Sequence, residues 1–330
     1  MEPSRDDPAD ELRPEYDLSR LRGGVRGKYT RRMAHGAGYE TTAGLLPGVE
    51  NGKPTPDQII AFHKQIWETL LPKFRRCVLP ITASDGTNSS VLGTGTLFRV
   101  GGRSFLVSAH HVFTEAVKND LGISIHDCLP ETKTPALLLG GRVIFAPKYD
   151  VAVMELSPET VSGMPNRLFL SVHEADRANR RPEDGTYALF GFPSVQVTPH
   201  EERDLLVMPF GHISHRYAGF TNSFENYEPE SHILIDGDRT RGARVDSGPQ
   251  LLPSSLWGMS GCSIWQLYYP GLSTRYWTPE DAVIVGVQTG VDKNGTVFKG
   301  TRWRVVDQLI REAYPELAGP LDLHVPMSGT

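Results

Sequence analysis

Gly93-Thr94-Gly95-Thr96-Leu97-Phe98-Arg99-Val100-Gly101-Gly102-Arg103-Ser104-Phe105-Leu106-Val107-Ser108-Ala109-His110-His111 is the stretch whose reading decides the fold. Two runs of strand-forming residues, 95–100 and 105–108, flank Gly101-Gly102, a pair that supplies the positive φ of a tight hairpin turn. A pair of histidines stands where the second strand ends. A hairpin that delivers a titratable side chain to its open end is a frame on which chemistry can be built.

Working outward, short strand-like runs recur. Val78-Leu79-Pro80-Ile81 precedes the hairpin, and further runs fall at 136–139, 142–145, 151–156, 187–191, 204–209, 232–235, 262–267 and 283–288. Many short strands separated by turn residues predict barrels or sandwiches, not a parallel α/β sheet. The 33 glycines and 25 prolines of the 330-residue chain agree, because a helical bundle tolerates few of either. No repeat of fixed period is visible, although two similar barrels need none.

Two helices are expected outside the strands. Thr55-Pro56-Asp57-Gln58 is a helix start, with Thr55 as N-cap, Pro56 at the first helical position and Gln58 placed for a capping box. Ile59, Ile60, Phe62, Ile66, Trp67, Leu70 and Leu71 then form one apolar face that ends near Pro72, suited to docking on a core. A short amphipathic helix is expected at about 304–314, with Val305, Val306, Leu309, Ile310 and Ala313 on its face.

Composition bounds the rest. Charged residues at 22%, apolar residues at 39% and a formal charge of −5 describe a globular chain with no global field toward nucleic acid or a membrane. Cys77, Cys128 and Cys262 are too few, and odd in number, for a disulfide framework, which suits a reducing compartment. The acidic start has no apolar region of a secretory signal, and no apolar run approaches the ~18 to 20 residues that span a bilayer. A cytoplasmic protein that does not enter a membrane is the expectation.

Residues 1–53 carry charge, Gly and Pro without a sustained period and read as a flexible arm. Within it Arg20, Arg22, Arg26, Lys28, Arg31 and Arg32 form a basic run without an acid. Such a run is ordinarily a solvated segment, and any contact of 20–32 with nucleic acid or an acidic partner would be weak.

Three further segments carry candidate chemistry. His110 and His111 end the hairpin, Asp150 opens the apolar strand Val151-Ala152-Val153-Met154, and Ser260 sits between glycines in Gly258-Met259-Ser260-Gly261. Each alone is unremarkable, since serine between glycines is also an ordinary turn. Together, and in this order, they resemble the trypsin-like serine peptidases of the chymotrypsin fold, especially the disulfide-free bacterial branch that includes the high-temperature-requirement proteases. Four matches carry the resemblance: Gly93 to Phe98, Val107 to His111, Asp150 to Val153, and Gly258 to Gly261. The order His, Asp, Ser is the one this fold uses.

The resemblance covers roughly residues 76–315 and implies an all-β fold of two six-stranded antiparallel β-barrels of chymotrypsin type. The expected order is arm (1–53), helix (54–75), first barrel with His and Asp (76–175), second barrel with Ser (176–303), and C-terminal helix and tail (304–330). It places the catalytic histidine at His111, because the pattern sets two residues between the strand-end Ser108 and the histidine, with His110 as the alternative. Asp150 would orient and stabilise the imidazole, Ser260 would attack the scissile carbonyl, and the N–H groups of Gly258 and Ser260 would form the oxyanion hole. No metal or cofactor is implied.

Departures from the family pattern matter too. Met259 stands where digestive relatives carry an aspartate that pairs with a new N-terminus, so activation by that cleavage is not expected. Cys262 lies two residues past the nucleophile position and is a poor alternative nucleophile. Ser254, six residues before Ser260, replaces the acid that would select Arg or Lys, and with Trp257, Gln288, Thr289 and Gly290 it forms the expected pocket for a neutral or apolar side chain.

The stretch 195–250 is long for a connection and is expected to form either an extended hairpin or loop that restricts substrate entry or a mobile insertion without function. Its His212, His215 and His232 match no zinc spacing. The expected function is a restricted serine endopeptidase acting on a protein or peptide substrate, with a regulatory protein partner a further expectation. A silent binding module or an esterase with the same triad are the alternatives.

Overall fold

Gly101 and Gly102 turn the chain with φ of 55° and 82°, and the flanking strands pair in register, Thr96 opposite Val107 and Phe98 opposite Phe105. This is seen in a computed structural model that describes residues 56–84, 89–126, 137–176, 185–200, 204–219, 224, 226–237, 242–244, 248–249, 253, 255–268 and 282–322. All belong to one compact unit, Gly38–Thr330. The basic run 20–32, Cys128 and Ser254 lie outside the described residues.

The first sheet holds β1 (Val78–Ser84), β2 (Ser89–Val100), β3 (Arg103–Ala109), β4 (Gly122–Ile125), β5 (Val143–Ala146) and β6 (Val151–Glu155). The second holds β7 (Thr186–Gly191), β8 (Phe210–His215), β9 (His232–Asp236), β10 (Ser263–Tyr268), β11 (Val283–Val291) and β12 (Val297–Arg302). Every pairing within them is antiparallel. Short pieces, Leu137–Leu138 in one sheet and Gly242–Arg244 with Gly248–Pro249 in the other, extend the edges.

The spatial orders are β4-β1-β2-β3-β6-β5 and β9-β12-β11-β10-β7-β8. Counted from its own first strand, each sheet follows the same cyclic order. They differ in where the cycle opens: β4 and β5 are the free ends of the first, whereas β8 and β9 end the second and meet at one bridge, Arg216 with Ile235. The repeat is therefore topological, and no sequence period records it. The chain has the all-β, two-barrel architecture of chymotrypsin type.

Three expectations need correction. The first helix, α1 (Pro56–Cys77), does not end near Pro72 but runs through it. A proline inside a helix costs ~3 kcal/mol, yet the turn beyond it buries Phe74 and Cys77 completely. The Phe74 ring lies 5.0 Å from Trp265 and 5.5 Å from Phe190, and this packing offsets the lost hydrogen bond.

The stretch 195–250 is not one long connection. It contributes β8 and β9 to the second sheet, besides an antiparallel pair of strands, Val197–His200 and Asp204–Val207. Finally, strand β3 runs straight into a helix that the period did not reveal, α2 (His110–Lys118). The closing helix, α3, spans Trp303–Ala313. No helix among the described residues is long and apolar enough to cross a membrane.

Candidate active site

His111 is in the first turn of α2, whose N-terminal N–H groups have no partner inside the helix. Ala109 stands at the cap position and its side chain offers none. Asp150 fills the gap. Its Oδ1 accepts the His111 N–H at 2.9 Å and its backbone carbonyl accepts the His110 N–H at 3.1 Å. The other carboxylate oxygen, Oδ2, lies 2.7 Å from His111 Nδ1.

A carboxylate can only accept here, so Nδ1 carries a proton, and in the neutral ring this leaves Nε2 as the acceptor. One aspartate thus caps the helix and fixes the tautomer of its ring. Reaching both atoms takes an unusual backbone: Asp150 adopts the left-handed conformation, φ 54° and ψ 44°, at the end of a 3₁₀ turn. Aspartate is among the few residues that tolerate it. His111 and Asp150 keep 40% and 25% of their side chains exposed, so the pair borders an open face. His110, the alternative, packs edge-on against Phe145 at 4.9 Å and has no part in this pair.

The serine turn arrives from the second sheet and is held to the first. Thr94 of β2 donates its N–H to the Ser260 carbonyl at 2.8 Å and its hydroxyl to the Gly258 carbonyl at 2.8 Å. The same hydroxyl accepts the Phe192 N–H at 3.1 Å, and the Ser108 hydroxyl donates to the Thr94 carbonyl at 2.7 Å. Gly261, at φ 89°, fits where a side chain would collide with Thr94 of β2 and with Ser108 and Ala109 of β3, the two residues leading into His110 and His111. Ser260 is brought in this way against the strand ends that deliver His111.

Gly258 takes φ 92°, which a residue with a Cβ rarely adopts. Its carbonyl is tied to Thr94, whereas its N–H and that of Ser260 have no hydrogen-bond acceptor among the described residues. Among the described residues, then, the serine's own N–H and that of Gly258 are both left without an acceptor. Met259 between them is fully buried in the core of the second sheet, so apolar packing anchors the turn. Cys262 is equally buried, and burial pushes its thiol pKa far up, which keeps it protonated and unreactive.

Of the expected pocket, Trp257, Gln288, Thr289 and Gly290 are among the described residues. Trp257 is 58% exposed beside the turn. Gln288 is buried, its backbone bonded to Gly261 and Cys262 and its amide donating to the Gly290 carbonyl at 2.9 Å; Thr289 is buried beside it. The three histidines of the second sheet each bond to backbone: His212 to the Asp236 carbonyl, His215 to that of Gly185, and His232 to the Glu228 N–H.

Sequence reasoning gave no part to Thr94, although it lies inside the Gly93-to-Phe98 motif. Nor did it single out Tyr149 and Thr301, whose contact joins the two sheets behind Asp150: the Thr301 hydroxyl donates to the Tyr149 carbonyl. No local pattern marks a pairing between residues so far apart.

No protein-family model and no curated protein matches this chain. Among solved structures, it is similar to the protease Anisep from Arthrobacter nicotinovorans, at 12% identity and TM-score 0.43, over 73% of this chain and 96% of that one. A thermostable serine protease, AL20, from an extremophilic microorganism gives 11% identity and TM-score 0.42, over 73% and 98%. A structure solved in a study of the coupled folding and binding of the intrinsically disordered Sesbania mosaic virus VPg protein gives 12% and 0.37, over 73% and 90%.

Proposed function

We propose that this chain is a serine endopeptidase, with Ser260 as nucleophile, His111 as general base and Asp150 as the group that orients it. What supports this reading most is that the Ser260 turn, with two N–H groups that have no acceptor among the described residues, is clamped by Thr94 and Gly261 to the strand ends delivering the His111–Asp150 pair. His111 Nε2 takes the proton of the Ser260 hydroxyl as Oγ attacks the substrate carbonyl. The Gly258 and Ser260 N–H groups receive the charge that develops on the carbonyl oxygen, where one donor typically contributes about 3 kcal/mol. His111 then returns the proton to the leaving amine, and water releases the acyl group by the reverse steps.

Asp150 accepts from one backbone amide and from the ring, which keeps the imidazole oriented while His111 moves the proton. The turn is anchored by buried Met259, so its shape depends on packing and not on an ion pair made by cleavage of the chain. Control by a protein partner is part of the proposal, as is a cytoplasmic setting.

A fluorophosphonate probe tests the assignment. Wild type is expected to be labelled on Ser260 and Ser260→Ala not at all; a wild type that resists the probe under all conditions would favour a silent binding module. Parallel peptide and ester substrates separate peptidase from esterase.

A further inference from the structure

Among the described residues, Lys299 of the proposed peptidase has no carboxylate within ion-pair distance. Lys299 lies on β12, opposite Gly290 of β11. Side chains alternate along a strand, so Lys299 shares its face with Thr301, whose hydroxyl reaches the Tyr149 carbonyl immediately before Asp150. Phe298 and Gly300, on the opposite face, meet the interior residues His212 and Ile264. The lysine is thereby turned toward the Asp150 loop.

The cations around it are engaged. Lys148 pairs with Glu228 at 2.6 Å, Arg304 with Glu230 at 3.6 Å, and Arg302 Nε donates to the carbonyls of Pro229 and His232. Lys299 has no carboxylate within ion-pair distance among the described residues, and its nearest recorded companion is the Phe224 ring, 6.0 Å from the ammonium. Burial pulls its pKa down while the Asp150 charge acts the other way. That carboxylate is already occupied by His111. Beside the lysine there is room over Gly290: among the described residues, a Cβ added there would find only Lys299 Cε within 4 Å, at 3.9 Å.

A half-buried cation that no described carboxylate pairs with is costly unless an anion completes it. We propose that Lys299 selects an acidic side chain of the substrate, whose carboxylate docks on its ammonium over Gly290. This rests on the peptidase reading and goes beyond it, because Lys299 adds an acid-selecting charge beside Gly290, a residue of the pocket expected to take a neutral or apolar side chain. Specificity here comes from a charge that no described carboxylate of the free enzyme compensates.

Peptide pairs carrying Glu or Gln at each position in turn provide the test. At one position wild type is expected to prefer Glu by about tenfold or more in kcat/KM. Lys299→Met should bring that ratio near one, and Lys299→Glu should turn the preference toward Lys; Lys299→Gln serves if the Met variant does not fold. An active wild type indifferent to Glu at every position, or a preference that survives these substitutions, overturns the inference and leaves the peptidase standing. Absence of both fluorophosphonate labelling and cleavage removes the peptidase reading itself, and the inference with it.

Discussion

The Thr94 hydroxyl donates to the Gly258 carbonyl at 2.8 Å, so a strand of the first sheet holds the serine turn of the second. Because it also accepts from the Phe192 N–H, one buried hydroxyl serves two backbone groups. Thr94→Val keeps the shape and removes both bonds. The expected cost is about 1–3 kcal/mol in urea unfolding, together with slower fluorophosphonate labelling of Ser260. Thr94→Ser should recover most of each. A valine variant labelled at the wild-type rate would show that the turn holds itself.

Asp150 has two duties that one substitution separates. Asn caps helices about as well as Asp, so Asp150→Asn should change the unfolding midpoint little. It cannot hold Nδ1 protonated in the same way, and kcat is expected to fall about 10³–10⁴-fold at neutral pH. Equal, modest losses in both measurements would mean that the pair is structural.

Gly261 admits no side chain. Gly261→Ala combines a strained φ of 89° with collisions against Ser108 and the backbone of Thr94 and Ala109. A loss of about 3 kcal/mol or more is expected, with little labelling of any folded remainder. An alanine variant with wild-type stability and labelling would rule out the close approach of the turn to β2 and β3.

His232 gives the fold a dependence on acid. It is buried between Tyr149 and Tyr227, each with its ring centroid 6.0 Å away, and burial lowers its pKa from 6.5 to about 4. The folded protein keeps the ring neutral while the unfolded chain takes up a proton from about pH 6.5 downward. Stability should therefore fall as the pH drops from about 6.5 to about 4 and gain nothing further from this group below that. Comparing urea unfolding of wild type and His232→Gln at pH 7 and pH 5 measures it; an identical drop in both would place the sensitivity elsewhere.

The legible parts of the fold are those written in neighbouring residues. The hairpin from Gly93 to His111 announces itself through β-branched and aromatic runs around two glycines, and the strand after Asp150 through unbroken apolar residues. Strand β8, Phe-Gly-His-Ile-Ser-His, is buried along nearly its whole length yet reads as polar, because its histidines find carbonyl partners only after folding. Strand β12 hides for a related reason: Lys299 and Gly300 interrupt its alternation. Of the candidate site, the types of His111, Asp150 and Ser260 could be read. The bracing by Thr94, and Lys299 opposite Gly290, could not, since both depend on strand partners distant in the chain.

Helix α1 precedes the first sheet but seats Trp67 and Phe74 against Phe190, and Phe74 against Trp265, all strand residues of the second. A chain made from its N-terminus therefore leaves the ribosome with this aromatic face uncovered until those strands emerge. The seat that the helix needs and the turn that carries Ser260 are completed by the same late segment. In the proposed peptidase, the nucleophile would therefore not be in place during synthesis before the helix can be seated, a safeguard that requires no separate inhibitor.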